Sequence, residues 1–262
     1  MKTVLLKTLI TALFVISCKT DKQNNTKTKA PQEQSEKASA INNNQKSLKS
    51  QLDAKKEASK LKTDPTTKKV FKEGIGSVVK SGVLENALKV GEIAPNFKLT
   101  NALGETIDLY AYLKKGKVVL TWYRGGWCPY CNITLQQLQQ ELPNFKKNGA
   151  QLIALTPELP DKSLSTSEKH DLKFEVLSDV GNKVAKEYGI VFKLTNEVAE
   201  IYNRFFSIVD FNGDASNELP LAATYIIDQE GKIIYAFLDA DYRNRAEPSE
   251  LTEVLKKTST LK

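Results

Sequence analysis

The chain has 262 residues, 40% hydrophobic and 26% charged, which excludes a wholly disordered polypeptide and leaves room for one large or two small domains. The net charge of +7 is uneven, because a lysine surplus is concentrated before Lys72 and the remainder is slightly acidic. A nucleic-acid enzyme would carry its cations on the folded domain beside stacking aromatics, so the charge balance points away from nucleic acid. Three cysteines, Cys18, Cys128 and Cys131, with the single His170, are too few for a disulfide framework or for a four-ligand zinc site within one chain.

In chain order, MKTVLLK supplies a positive start and TLITALFVIS an apolar stretch too short to span a bilayer, the pattern of a signal peptide over residues 1–17. Val15-Ile16-Ser17-Cys18 resembles the lipobox of bacterial lipoproteins, which implies lipidation at Cys18 and a membrane anchor in the cell envelope. Lys19 after the cysteine favours the outer membrane by the same resemblance. Residues 18–47 are rich in Lys, Asn, Gln, Thr and Ser and cannot bury enough apolar surface to offset chain entropy, so they are expected to form a disordered tether. Residues 48–87 read as a helical extension. Leu48, Leu52, Ala58 and Leu61 fall near helical spacing, Asp64-Pro65 reads as a stop, and a short helix is expected around Ile75 to Leu88.

From residue 88 onward, apolar runs alternate with helical patterns. VVLTWY (Val118 to Tyr123) reads as a buried strand. Tyr130 to Lys147 reads as a helix with Leu135, Leu138, Leu142 and Phe145 on one face, a kink at Pro143 and a stop at Gly149. Strands are expected at Leu152 to Thr156 and Phe174 to Leu177, and helices at Ser165 to Leu172, Asn182 to Tyr188 and Asn196 to Phe205. The chain closes with strands Thr224 to Asp228 and Ile233 to Leu238 about a Gln229-Glu230-Gly231 turn, and then a helix opened by Pro248. This order predicts an α/β domain with a mixed central sheet flanked by helices.

The segment TWYRGGWCPYCN joins the first buried strand to the long helix, the kind of strand end where open α/β sheets gather reactive groups. Cysteines at the start of a helix face free N–H groups and the positive end of its dipole, which favour thiolate, and two cysteines two residues apart can close a small disulfide. Pro129 suits the first helical position, and Gly125 and Gly126 permit an unusual loop path.

With VGEIAPNFKLTNALGE, KGKVVLTWYRGGWCPYC and TYIIDQEGKIIYAFLDADYRNRAEP, the chain resembles the alkyl hydroperoxide reductase/thiol-specific antioxidant (peroxiredoxin) superfamily, in a branch carrying a thioredoxin-style CxxC. The resemblance implies a thioredoxin fold with peroxiredoxin-type extensions over residues 88–262. It also implies reduction of hydrogen peroxide or organic hydroperoxides, no metal or organic cofactor, and regeneration by a thioredoxin-like dithiol protein. Laid on the family pattern P-x-x-x-T-x-x-C, the peroxidatic position falls on Cys131, the threonine on Cys128 and the proline on Arg124. The family arginine before the late strand would fall near Ala222, where there is none, so Arg124 is expected to place its guanidinium beside the thiolate instead.

The peroxiredoxin pattern makes Cys131 attack and Cys128 resolve. Thioredoxin logic reverses the roles, with Cys128 the more exposed sulfur, and both end in a Cys128–Cys131 disulfide. Two other readings stand beside the peroxidase: an envelope thiol-disulfide oxidoreductase without peroxidase activity, and a binding module whose cysteines are a structural staple. Trp122, Tyr123 and Trp127 are expected to pack around the loop, His170 to lie at the surface, Arg243 and Arg245 to form ion pairs at the sheet's end, and Asp179 and Asp228 to cap turns.

Overall fold

The computed structural model describes residues 46–101 and 104–259. The expected signal peptide, Cys18 and nearly all of the tether lie outside them. Helix α1 (Leu48–Lys62) opens on Ser47, whose side chain accepts from Ser50 N–H, and α2 (Pro65–Lys80) opens on Asp64, which accepts from Thr67 N–H at 2.9 Å. Asp64-Pro65 thus ends one helix and begins the next, since proline lacks only an N–H that would go unpaired at a first turn. The helix expected around Ile75 to Leu88 is interrupted by Gly82 at φ +76°, after which α3 (Val83–Asn86) is a single turn.

Strands β1 (Lys98–Thr100) and β2 (Thr106–Asp108) pair antiparallel, and Asp108 caps α4 (Leu109–Leu113). The core follows with β3 (Lys117–Trp122), α5 (Pro129–Lys147), β4 (Ala150–Thr156), α6 (Pro160–Lys169) and β5 (Glu175–Ser178). Next come α7 (Lys183–Glu187), β6 (Val191–Lys193), α8 (Asn196–Asn203), α9 (Ile208–Asn212) and β7 (Glu218–Pro220). Strands β8 (Thr224–Ile227) and β9 (Ile233–Phe237) and helix α10 (Pro248–Ser259) end the domain.

The main sheet runs β5-β4-β3-β8-β9, with β3, β4 and β5 parallel and β8 and β9 antiparallel to their neighbours, a mixed sheet as the sequence predicts. VVLTWY is buried throughout because both faces are covered. Val118, Leu120 and Trp122 pack with Tyr188 and Tyr225, while Val119 packs with Leu138, Leu142 and Phe145 of α5 and Leu251 and Leu255 of α10. Helix α5 runs through Pro143 to Lys147. Helix α6 lies upstream of its expected position, because Pro160 takes its first turn. The pairs β1–β2 and β6–β7, three residues a strand, are too short to read from periodicity. Helix α1 packs on α5, and Leu48 and Leu52 join the apolar cluster that holds both active-loop cysteines.

Candidate active site

The loop between β3 and α5 folds as it does because of two glycines. Gly125 has φ +151°, and a Cβ there would stand 2.2 Å from the Trp127 indole nitrogen. A Cβ on Gly126 would meet Thr166 Oγ1 at 2.1 Å. Cys128 is the N-cap of α5 and Pro129 its first residue, so Cys131 lies in the first turn. Both residues are buried, Cys128 being 1% and Cys131 0% exposed, so the greater exposure that thioredoxin logic gives Cys128 is not found. The reason is the cover supplied by Leu48, Leu52, Tyr130 and Tyr242, which belong to the same cluster.

The two sulfurs are electrostatically unequal. Burial opposes the Cys131 thiolate, but the Cys128 thiol hydrogen-bonded to it and the guanidiniums of Arg245 and Arg124 bring its pKa well below that of a free thiol. Burial pushes Cys128 up, and its negative neighbour holds it there. The surroundings therefore favour a thiolate on Cys131 over one on Cys128.

Arg245 corrects the expectation for this residue. It reaches back from the segment after β9, and its Nη2 donates to Cys131 Sγ at 3.4 Å, so it lines the site rather than closing an ion pair. Arg243 does form the expected pair, its Nε and Nη2 donating to Asp241 at 2.7 and 2.8 Å. No local pattern marks Arg245, since its contact spans 114 residues of chain. Arg124 is 1% exposed and sits among the rings of Tyr242, Trp127 and Tyr202, with its carbon 4.0, 4.9 and 5.4 Å from their centroids. Its Nη2 donates to the Tyr202 hydroxyl at 2.6 Å, while Nε and Nη1 have no hydrogen-bond partner among the described residues.

Sequence reasoning passed over Glu158. This fully buried carboxylate follows β4, accepts from Gly126 N–H at 2.9 Å and lies 3.4 Å from Thr156 Oγ1. Burial, with the charge of Cys131, pushes its pKa up to about 7 against the lowering effect of Gly126 N–H. Thr-Pro-Glu after a buried strand was the available signal, but only the fold brings it under the loop.

Trp122 packs against Tyr188 and Tyr225, and Trp127 stacks on Phe206 at 4.6 Å, so both serve packing as expected. Tyr123 is buried in the cysteine cluster. His170 is away from the loop, its Nδ1 against Gln136 Nε2 at 3.0 Å near the surface. Asp179 accepts from Val184 and Ala185 N–H and Asp228 from Glu230 and Lys232 N–H, the expected caps. Among the described residues no three His, Cys, Asp or Glu side chains gather to hold a metal.

A mixed sheet with a CxxC pair at the junction of β3 and α5 defines the thioredoxin-fold thiol oxidoreductases. The chain belongs to the AhpC/TSA family, whose model matches residues 90–236. It is 28% identical over 66% of its length to the thiol-disulfide oxidoreductase ResA of Bacillus cereus, spanning 80% of that protein. It is 27% identical over 59% of its length to peroxiredoxin Bcp of Escherichia coli, spanning 88% of it. In fold it resembles peroxidoxin BcpB of Mycobacterium tuberculosis, with a TM-score of 0.52 over 65% of this chain and 97% of that one at 18% identity. A peroxiredoxin 6 of Arenicola marina superposes with a TM-score of 0.53 over 65% of this chain and 73% of that one at 20% identity.

Proposed function

We propose that this chain is a thiol peroxidase in which Cys131 attacks and Cys128 resolves. The observation that carries the reading is the Arg245 guanidinium on Cys131 Sγ at 3.4 Å, on a sulfur held as thiolate while its neighbour is held as thiol. The thiolate displaces the leaving oxygen of a hydrogen or organic peroxide, which departs as water or alcohol after taking a proton, and leaves a sulfenic acid on Cys131. The Cys128 thiol then condenses with it, releasing water and closing the Cys128–Cys131 disulfide. A thioredoxin-like dithiol protein reduces this disulfide and is itself oxidised. Arg124 and Arg245 stabilise the negative charge on sulfur and on the departing oxygen. Lipidation at Cys18 would hold the domain at the cell envelope, and radiolabelled lipid on the wild-type chain but not on Cys18→Ser tests that part.

The test is a stoichiometric peroxide titration of the reduced protein with mass spectrometry of each cysteine variant. Cys128→Ser should accumulate a sulfenic acid on Cys131, and Cys131→Ser should accumulate none. A sulfenic acid only on Cys128 overturns the assignment. The similarity to ResA favours one second reading, a thiol-disulfide oxidoreductase, and fast insulin reduction without peroxide consumption would select it.

A further inference from the structure

Helix α1 lies outside the residues matched by the family model, yet it completes the cover over the active loop. Of its 15 residues Leu48 and Leu52 are the buried ones, and both belong to the cluster that holds Cys128 and Cys131. Two polar ties join α1 to the segment after β9. Glu247 accepts from Leu48 and Lys49 N–H at the helix start, and Asn244 Oδ1 accepts from Lys56 Nζ at 2.7 Å. The Tyr130 hydroxyl, on α5, reaches Ser59 Oγ at 3.5 Å.

The same segment holds the sulfur. Arg245 Nη2 donates to Cys131 Sγ, and its Nη1 donates to the Asn244 carbonyl at 2.8 Å. One guanidinium therefore bridges the sulfur and the residue that receives Lys56. Among the described residues no carboxylate forms an ion pair with Arg245, although Glu247 and Glu250 stand with it in a cavity of about 470 Å³ that α1 and this segment line together.

Burial sets a problem of access. A disulfide is reduced by a thiolate that attacks one of its sulfurs, and sulfurs 1% and 0% exposed admit no second protein while α1 stays in place. Closing the Cys128–Cys131 disulfide removes two electrons and the Cys128 proton, and the negative charge on Cys131 goes with them. Arg245 then has no anion at the sulfur, and the carboxylate that caps α1 lines the same cavity.

We propose that α1 is a redox-dependent cover: the thiolate on Cys131 holds it closed through Arg245 and the segment 244–247, and the disulfide releases it. The sulfurs are then presented to a dithiol protein in the one state that has a disulfide to reduce. The coupling rests on formation of that disulfide, as in the function proposed above, and is indifferent to the oxidant. By reciprocity, whatever the reduced pair contributes to closing α1, closed α1 contributes to keeping the pair reduced.

The test follows amide exchange in the full chain carrying Cys18→Ser, either reduced with a phosphine or oxidised with diamide, which takes up the two electrons as its hydrazine. Loss of a charge-assisted hydrogen bond is worth about tenfold or more in an equilibrium, so α1 amides should exchange roughly tenfold faster in the disulfide form, while those of α10 and β4 keep their rates. Arg245→Met should erase this difference. Leu52→Ala loosens the cover without touching the polar ties. It should speed alkylation of Cys131 in the reduced protein by about tenfold or more and leave reduction of the disulfide by a thioredoxin almost unchanged, because α1 is already open there. In thiol buffers it should also shift the pair toward the disulfide by up to about tenfold, or about 30 mV for two electrons.

Equal α1 exchange in the two states, or an acceleration shared by α10 and β4, overturns the proposal and leaves the peroxidase reading intact. So does a Leu52→Ala protein in which alkylation and disulfide reduction quicken by the same factor. A pair that diamide cannot close overturns both.

Discussion

Glu158 makes the stability of the reduced protein fall with pH. Its side chain is fully buried and its pKa is pushed up to about 7, whereas an unfolded glutamate titrates near 4.3. Between these values the folded chain holds the extra proton, so the free energy of unfolding declines as pH rises. The contribution is complete below about pH 4.3 and is lost as pH passes 7, a change of about 4 kcal/mol at 1.36 kcal/mol per pH unit. Glu158→Gln keeps an oxygen for Gly126 N–H and removes the charge. At pH 8 it should be more stable than the parent by up to about 4 kcal/mol, and at pH 4 the two should agree within about 1 kcal/mol. Urea titrations of both reduced proteins from pH 4 to pH 8 measure this. With Cys131 in a disulfide its negative charge is gone, and the gap at pH 8 should narrow. Parallel profiles for parent and variant would refute the reasoning.

Arg245→Met removes a charge-assisted hydrogen bond of about 1.5–3 kcal/mol, so the Cys131 thiol should titrate about one to two pH units higher when its alkylation rate is followed against pH, and an unchanged profile contradicts the assigned contact. Gly126→Ala drives a Cβ onto Thr166 Oγ1, so its melting temperature should fall, and adding Thr166→Ala should recover part of the loss; strict additivity of the two changes would show that this clash is not the cause. Glu247 accepts from Leu48 and Lys49 N–H, both at 3.0 Å, at the start of α1, and Glu247→Gln should cost about 1 kcal/mol there. Faster amide exchange in α1 and faster alkylation of Cys131 are the expected readouts, and unchanged rates in both would separate α1 from the cover over the sulfurs.

The parts of the fold legible in the sequence are those with repeated local signals. Val118 to Trp122 is β-branched and aromatic, α5 carries an apolar stripe ending at Phe145, and the CxxC pair stands where strand meets helix. The strands β1, β2, β6 and β7 are three residues long and obtain their stability from pairing rather than from pattern. In the site, Cys128, Cys131 and Arg124 share one loop and can be read together. Arg245 and Glu158 come from other strand ends, 114 residues away from the sulfur in one case and beneath the loop in the other. An arginine in RNRAEP looks like any charged residue in a turn until the sheet brings β9 beside β8. Asp64-Pro65 is legible as the end of α1 but not as the start of α2, because a proline that forbids one helix from continuing also suits the first turn of the next.

The charges around the sulfurs favour ionisation within so buried a pair. Burial alone would leave two inert thiols, yet two guanidiniums face a single thiolate, and the one buried carboxylate near them is itself driven toward its neutral form. The influence is mutual, since the charge on Cys131 that raises Glu158 is matched by an equal effect of ionised Glu158 on Cys131. Glu158 therefore supports the thiolate best when protonated and holds the loop through Gly126 in either form. The thiolate is produced by the surrounding elements rather than by the CxxC spacing alone. The same elements exclude water, because Arg245 and the Glu247 anchor of α1 lie two residues apart on one segment, which joins the charge on sulfur to the helix that covers it.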